Sequence, residues 1–147
     1  MKHVYWIEEG WLAGRPGPNC RQWDLMELYQ GGFRAIVSLE ETDPREILGA
    51  GFEHLMLLIP GCTVPGMEAM EEFCRYVEAK LGEGKPVLVH CHYGEGRTGT
   101  MLASWCLWKG MGLEEAVGLV LSRKPTAIGF PERLEALRLF AERVQKK

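Results

Sequence analysis

The amino-acid sequence predicts an α/β fold, arranged as one domain over residues 1–147. Short apolar runs of strand length alternate with segments of helical periodicity in the first two thirds of the chain, and glycines separate them. The last third has helical periodicity throughout. Strands that alternate with helices favour a mostly parallel sheet covered by helices. We therefore expect a central sheet of four or five strands flanked by helices.

Five short apolar segments bounded by turn residues predict the strands. Gly10 joins the first two strands, and the proline-rich stretch that begins at Arg15 ends the second. The last three strands consist almost entirely of apolar residues, which is typical of buried parallel strands. The predicted strands are Val4–Ile7, Trp11–Ala13, Ala35–Leu39, Phe52–Ile59 and Pro86–His90.

Six segments predict helices, with caps at both ends. Asn19 is placed to cap the first helix and Asp43, followed by proline, to cap the second. Glycines at the far ends stop both helices and the third. The predicted helices run from Asn19 to Gly31, from Asp43 to about Gly49, over Met67–Leu81, over Thr98–Lys109, over Leu113–Lys124 and over Pro131–Lys146.

The composition excludes several classes of protein. A chain of 147 residues with 46% hydrophobic and 25% charged residues has the make-up of a soluble globular domain, and no apolar run approaches the length of a membrane span. A net charge of −3 provides no general field for nucleic acid or for an anionic bilayer. Five cysteines at irregular spacing, without an apolar leader, predict free thiols in a reducing cytoplasm. We expect a cytoplasmic monomer with no nucleic-acid or membrane partner.

The segment between the last strand and the fourth helix predicts an anion site. Ligands of parallel sheets bind beyond the carboxyl ends of the strands, where a helix N-terminus offers free N–H groups and the positive end of its dipole. Gly94 and Gly96 allow the backbone to curl around a tetrahedral anion, and Arg97 can hold two of its oxygens. Cys91 lies six residues earlier at the floor of this loop, where the same groups favour its thiolate.

These residues resemble a known signature. HC-x5-R-(S/T)-G, present here as His90, Cys91, Arg97, Thr98 and Gly99, is similar to the signature of the cysteine-based protein tyrosine phosphatase superfamily. The longer pattern HC-x2-G-x-GRTGT resembles the small, atypical dual-specificity phosphatases. The motifs LAGRP (residues 12–16), VSL (37–39) and IP (59–60) follow the order expected for that family.

The resemblance implies a phosphate-binding loop and a two-step reaction without metal or cofactor. Cys91 would attack phosphorus to form a phosphocysteine, and Arg97 with the loop amides would stabilise the transferring group. Thr98 would donate to the leaving sulfur, and His90 would orient the loop. The remaining phosphate-binding positions would be His92, Tyr93, Gly94, Glu95 and Gly96. The expected partners are a phosphorylated protein or a small phosphoester as substrate, with phosphate, vanadate and sulfate as ligands.

The general acid of the resembling family is missing. An aspartate is expected in an Ile-Pro-Asp loop, whereas this chain has Gly61 after Ile59-Pro60. Glu41 is our first candidate for a substitute, ahead of Asp43 and Glu95, although a solvated carboxylate is an equally good interpretation of Glu41. The missing acid leaves a second hypothesis open, a pseudophosphatase that binds phosphorylated ligands with little turnover.

Other interpretations of the same segment fit less well. The glycines at 94, 96 and 99 match a dinucleotide fingerprint, but no strand follows to carry the acidic residue it requires. A sulfurtransferase would also use a cysteine in an anion cradle, but the HC-x5-R-T-G loop fits it poorly. The chain lacks the extra elements of larger tyrosine-specific domains, so we expect a shallow site that accepts phosphotyrosine and shorter phosphoesters. Cys62 is predicted to lie near Cys91, where a reversible disulfide is one option.

Overall fold

The computed structural model describes residues 1–145 and confirms the α/β architecture. Five strands form one sheet in the order β1-β2-β5-β3-β4, in which only the β1–β2 pair is antiparallel. The strands are β1 Tyr5–Glu8, β2 Leu12–Pro16, β3 Ala35–Ser38, β4 Glu53–Met56 and β5 Val87–Cys91. β5 is therefore the central strand, and the loop that follows it emerges from the middle of the sheet.

Six helices cover the two faces of this sheet. They are α1 Leu25–Gln30, α2 Pro44–Gly49, α3 Met67–Gly82, α4 Gly96–Trp108, α5 Leu113–Arg123 and α6 Pro131–Gln145. The predicted end of the last helix, Lys146, lies outside the described residues. Among residues 1–145, no helix combines the length and the apolar composition needed to cross a bilayer.

The alternation of side chains along β5 divides the core into two parts. Val87, Val89 and Cys91 point into the larger cluster, which α3, α4, α5 and α6 cover. Leu88 points into the smaller cluster under α1 and α2. Every side chain of α4 from 98 to 107 is buried, so this helix packs in the middle of the larger cluster. The nucleophile candidate thus lies on the face of the sheet that α4 occupies.

The first helix was predicted wrongly. It begins at Leu25, with the Asp24 side chain accepting from the backbone N–H of Glu27, and Asn19 does not cap it. The preceding residues form turns because the chain continues alongside β5: Pro16 pairs with Cys91, and the N–H of Gly17 bonds to the carbonyl of residue 92. Cys20 lies in these turns and is half-buried.

Three further elements have boundaries that differ from the prediction. The fourth strand covers only Glu53–Met56 and is half-buried, because it lies at the sheet edge and pairs with β3 alone. The second strand extends to Pro16, beyond the predicted Ala13, because parallel pairing with β5 continues to its last residue. The fourth helix starts two residues early, at Gly96, so that its first turn belongs to the loop.

Candidate active site

Cys91 ends the central strand and lies at the floor of a cavity of about 310 Å³. Its side chain is almost completely buried, with 2% of the residue exposed. Three segments line the cavity: the loop after β4, the loop between β5 and α4, and the start of α6. Their lining residues include Gly61, Cys62, Arg97, Phe130 and Arg133.

The loop after Cys91 is held against the first two strands. Gly94 has a positive φ of 74°, and a Cβ at this position would lie 2.4 Å from the backbone carbonyl carbon of Arg15. Only glycine fits, since it alone combines that conformation with so close an approach. The buried hydroxyl of Tyr5 donates to the Gly94 carbonyl at 2.6 Å. Burial raises the pKa of this hydroxyl, so it remains a donor across the physiological range.

The N-terminus of α4 faces the same loop with free donors. The first backbone hydrogen bond of the helix runs from the N–H of Gly99 to the carbonyl of Glu95 at 2.8 Å. The N–H groups of the preceding positions have no acceptor one helical turn earlier within the helix. Free amides at the positive end of a helix dipole form an anion site. The structure therefore provides the backbone elements of the predicted phosphate loop.

His90 belongs to a hydrogen-bond chain behind Cys91. Its Nε2 lies 2.7 Å from Ser38 Oγ, which in turn lies 2.8 Å from His54 Nε2. Its Nδ1 faces the carbonyl of Cys91 at 3.4 Å. Because a carbonyl only accepts, Nδ1 carries the proton, and Nε2 accepts from Ser38. Burial lowers the pKa of His90 to about 4, so the ring is neutral at pH 7 and orients the strand end rather than exchanging protons.

Arg97 and Thr98 occupy the first turn of α4. Arg97 donates from Nη1 to the carbonyl of Ile59 at 2.8 Å and retains the rest of its guanidinium for a ligand. Thr98 is fully buried, and its hydroxyl has no hydrogen-bond partner among the described residues. A buried hydroxyl without a partner costs free energy, which is characteristic of a group that acts on a bound species.

His92 and Tyr93 form the rim of the loop. The two rings contact each other edge to face, with centroids 4.6 Å apart. His92 Nδ1 lies 3.3 Å from the Glu40 carboxylate, and Tyr93 is 63% exposed. The wall of the site at this point is thus a single exposed aromatic ring.

The candidate acids are distributed around the site. Gly61 leaves open space where the aspartate was expected, since a Cβ there would meet no atom within 4 Å. Glu41 shares a smaller surface pocket with Arg97. Glu95 lines the cavity of Cys91, but its carboxylate accepts from the hydroxyl of Thr126 at 2.8 Å and lies 3.8 Å from Lys124. Asp43 accepts from the N–H of Arg45 as the cap of α2.

The thiols differ in their surroundings. Cys62 is exposed and lines the same cavity as Cys91. Cys74 and Cys106 are buried in the core, where burial raises the pKa of each to about 12. All five cysteines are free in this structure.

Besides His54, three residues of the site escaped the sequence analysis. Tyr5 lies on the first strand, 89 positions from the carbonyl that it holds. Glu40 directly precedes the candidate Glu41, and one of its carboxylate oxygens is buried without a partner. Arg133 lies in the last helix, for which the sequence predicted no site residue. No local motif marks these residues.

Comparison with known proteins agrees with the geometry. Residues 13–111 match the family Tc-R-P, described as "Polymorphic toxin system, DSP-PTPase phosphatase". Dual specificity protein phosphatase 1B of Arabidopsis thaliana is 32% identical, with 83% of this chain and 84% of that protein aligned. Tyrosine-protein phosphatase cdc-14 of Caenorhabditis elegans is also 32% identical over 87% of this chain, which spans only 20% of that longer protein.

The solved structures extend the match over the whole fold. The crystal structure of Tk-PTP in its active form has a TM-score of 0.88 and 33% identity, and the match covers 97% of this chain and 98% of that chain. The matched sequence contains the nucleophile loop, and the matched fold places that loop at the end of the central strand. The chain therefore belongs to the dual-specificity type of the cysteine-based protein tyrosine phosphatase superfamily.

Proposed function

We propose that this protein is a cysteine-dependent phosphatase that hydrolyses phosphomonoesters through a phosphocysteine intermediate. The observation that carries the proposal is the meeting of Cys91, Arg97 and the free N-terminus of α4 in one cavity. Nucleophilic catalysis needs a thiolate, and phosphoryl transfer needs fixed donors around the transferring oxygens. A cysteine and an arginine beside free helix amides, the groups that these two requirements call for, lie within a seven-residue segment of the chain.

The first step transfers the phosphoryl group to sulfur. The Cys91 thiolate attacks phosphorus from the floor of the cavity, a sulfur–phosphorus bond forms, and the bond from phosphorus to the ester oxygen breaks. Arg97 and the loop amides hold the three non-bridging oxygens, whose negative charge they offset. The leaving oxygen departs with the electron pair of the broken bond and takes up a proton.

The second step regenerates the thiolate. A water molecule attacks phosphorus and loses a proton, and the sulfur–phosphorus bond breaks to release inorganic phosphate. The electron pair returns to Cys91 sulfur, where the buried hydroxyl of Thr98 can donate to the developing negative charge. This role gives the unpartnered hydroxyl of Thr98 an acceptor.

The source of the proton for the leaving group separates two hypotheses. Gly61 leaves the usual position of the acid without a carboxylate. Glu41 is the candidate substitute, because it shares a pocket with Arg97. The competing hypothesis is a pseudophosphatase that binds phosphorylated ligands in the same loop with little turnover, and the glycine at this position favours it. Release of inorganic phosphate by the purified protein distinguishes the two.

The shape of the site supports a broad range of phosphomonoesters. The cavity is bounded on its outer side by the rings of Tyr93, 63% exposed, and Phe130, 40% exposed. Two low aromatic walls can contact the ring of phosphotyrosine without excluding a shorter phosphoserine or phosphothreonine. We propose phosphotyrosine as the preferred group, either in a phosphorylated protein or in a small phosphoester.

The test compares Cys91→Ser with Cys62→Ser, which changes an exposed thiol of the same cavity. Cys91→Ser abolishes release of phosphate from p-nitrophenyl phosphate, because serine does not supply an alkoxide at neutral pH, while binding of vanadate persists. Cys62→Ser retains turnover. Turnover by Cys91→Ser, or loss of wild-type turnover in EDTA, would contradict the mechanism.

A further inference from the structure

Arg133 is the second arginine of the cavity that contains Cys91. It lies in the first turn of α6, and only 6% of the residue is exposed. Its guanidinium lies over the ring of Phe130, 4.2 Å from the centroid. The same group lies against the nucleophile loop: a Cβ at Gly96 would be 2.2 Å from Nη1 of Arg133. Glycine at position 96 is therefore what allows this arginine to reach the site.

The charge of Arg133 has no carboxylate partner among residues 1–145, although the Cys91 thiol lies in the same cavity. The guanidinium donates from Nη1 to the carbonyl of Ile128 at 2.8 Å and from Nη2 to that of Thr63 at 3.5 Å. Its Nε is buried without a partner. No carboxylate pairs with Arg133 or with Arg97 in the described part of the chain. Burial lowers the pKa of Arg133 the most, Cys91 acts in the opposite direction, and the neighbouring Arg97 lowers the pKa further.

One phosphate group does not use all the donors of the cavity. Its three non-bridging oxygens accept roughly two or three hydrogen bonds each. The loop amides from 92 to 97, together with two N–H groups of Arg97, already match that capacity. Arg133 has further N–H groups besides those bonded to the carbonyls of Ile128 and Thr63. These N–H groups therefore have no oxygen of the same phosphate to bind. The guanidinium groups of Arg97 and Arg133 both line the cavity, and neither pairs with a carboxylate. Two such groups match a ligand that carries more than one anionic group.

We propose that Arg133 binds a second anionic group of the substrate, next to the phosphomonoester that Cys91 and Arg97 engage. The inference rests on the proposed function for the identity of the first group. It assigns to the substrate a second phosphate group, close enough to the first for both to occupy one cavity.

Binding to the Cys91→Ser protein tests the proposal without turnover. The probes are methylphosphonate and methylenebisphosphonate, which carry one and two anionic groups, titrated by calorimetry. In this background methylenebisphosphonate binds at least about tenfold tighter, the factor that one hydrogen-bonded charge pair contributes. Adding Arg133→Met weakens the binding of methylenebisphosphonate by about that factor and changes the affinity for methylphosphonate much less, so the two dissociation constants become similar.

Two further variants keep the result interpretable. Arg133→Gln retains a donor for the Ile128 carbonyl but no charge, so it repeats the test if the methionine variant does not fold. Arg138→Met removes an exposed arginine of the same helix, which pairs with Glu135 and Glu142, and leaves the ratio unchanged.

The outcomes separate this inference from the proposed function. Equal weakening of both probes by the Arg133 variants would overturn it, because Arg133 would then serve the first phosphate or the fold. An unchanged ratio would overturn it as well. A ratio that depends on Arg133, in a wild-type protein that releases no phosphate from p-nitrophenyl phosphate, would support the second anion site and refute the phosphatase.

Discussion

The two sides of the nucleophile loop are built differently. The rear wall, formed by Tyr5, Ser38, His54 and His90, is connected by hydrogen bonds of 2.6–2.8 Å. The open wall, formed by Gly61, Cys62, Phe130 and Arg133, contains a glycine with open space, an exposed thiol and a buried Nε without a partner. The rear wall is complete without a ligand, and the open wall is not.

This difference assigns separate tasks to the two walls. A loop that must hold several N–H groups toward one point needs support from behind, because each amide otherwise gains rotational freedom. The rear wall provides that support through neutral, buried groups. In the open wall, the Nε of Arg133 has no partner among the described residues, and we propose that the guanidinium of Arg133 faces the substrate. Changes to the open wall should therefore alter activity and ligand choice, whereas changes to the rear wall should alter stability first.

The largest expected effect is a gain of activity at the open wall. Gly61→Asp restores a carboxyl where the space is free, and general acid catalysis contributes about 10²- to 10⁴-fold. We expect wild-type kcat to fall steeply as the leaving group becomes more basic, and Gly61→Asp to flatten this dependence by accelerating alkyl phosphates. The measurement is kcat against leaving-group pKa for a series of aryl and alkyl phosphates.

Glu41→Gln and Glu95→Gln are the controls for this series. If wild-type kcat is already independent of the leaving group, and one of these substitutions makes it dependent, the acid has moved to that glutamate. In that case the missing-acid explanation is wrong, and the pseudophosphatase hypothesis fails with it.

The next effect concerns the rear wall and pH. His90 has a native pKa of about 4, below the roughly 6.5 of an unfolded histidine. Between these values the unfolded chain binds more protons than the native protein, so the free energy of unfolding rises with pH. The contribution of His90 to it is complete above about pH 6.5. The contribution reaches about 3 kcal/mol, and the half-buried His54, with its lowered pKa, adds to it in the same direction.

Urea unfolding from pH 4 to 7 measures this slope in wild type and in His90→Asn. The substitution should flatten the pH dependence as well as lower the stability. An equal slope in both proteins would show that His90 is not the group that titrates.

A smaller effect is expected at Thr98, which is fully buried in the first turn of α4. Thr98→Val keeps the shape and removes the unpartnered hydroxyl, so breakdown of phosphocysteine should slow by roughly 10- to 100-fold, the value of a hydrogen bond to a charged group. Rapid mixing should then reveal a burst of phenol before slow steady-state release. Thr100→Val, which removes a hydroxyl bonded to the Gly96 carbonyl, should show no burst. A burst of equal size in both variants would rule out a specific role for Thr98.

The smallest effect is expected at Tyr5. Tyr5→Phe leaves the Gly94 carbonyl without its buried donor and should cost about 1–2 kcal/mol of stability, with kcat reduced only a few-fold. Tyr76→Phe is the matched control, because the Tyr76 hydroxyl is buried without a partner and its removal should not destabilise the protein. Thermal unfolding of the two variants measures the difference, and equal melting temperatures would show that the hydroxyl of Tyr5 does not support the loop.

The sequence predicted local features well where the cause was local. The strand–loop–helix unit around Cys91 follows from an apolar run, two glycines and a helix start, all within fourteen residues. The first helix was mispredicted because Asn19 and Asp24 are equally good caps by type, and only the course of the chain beside β5 selects Asp24.

The order of the strands and the second arginine came from tertiary structure. β2 pairs in parallel with β5, although the paired residues are about 75 positions apart in the sequence. This pairing brings the first two strands against the loop after Cys91. Arg133 reaches the cavity only because α6 packs on α4 and because Gly96 has no side chain.

What the sequence determined by itself was the local unit around Cys91: a strand end, a glycine-containing loop and Arg97 at the start of a helix, since these depend on residue type and short spacing. What only the tertiary structure decided was which distant groups complete the site. Tyr5, Glu40 and Arg133 contact it from three separate elements, and no spacing rule connects such positions, because their approach depends on how whole helices and strands pack.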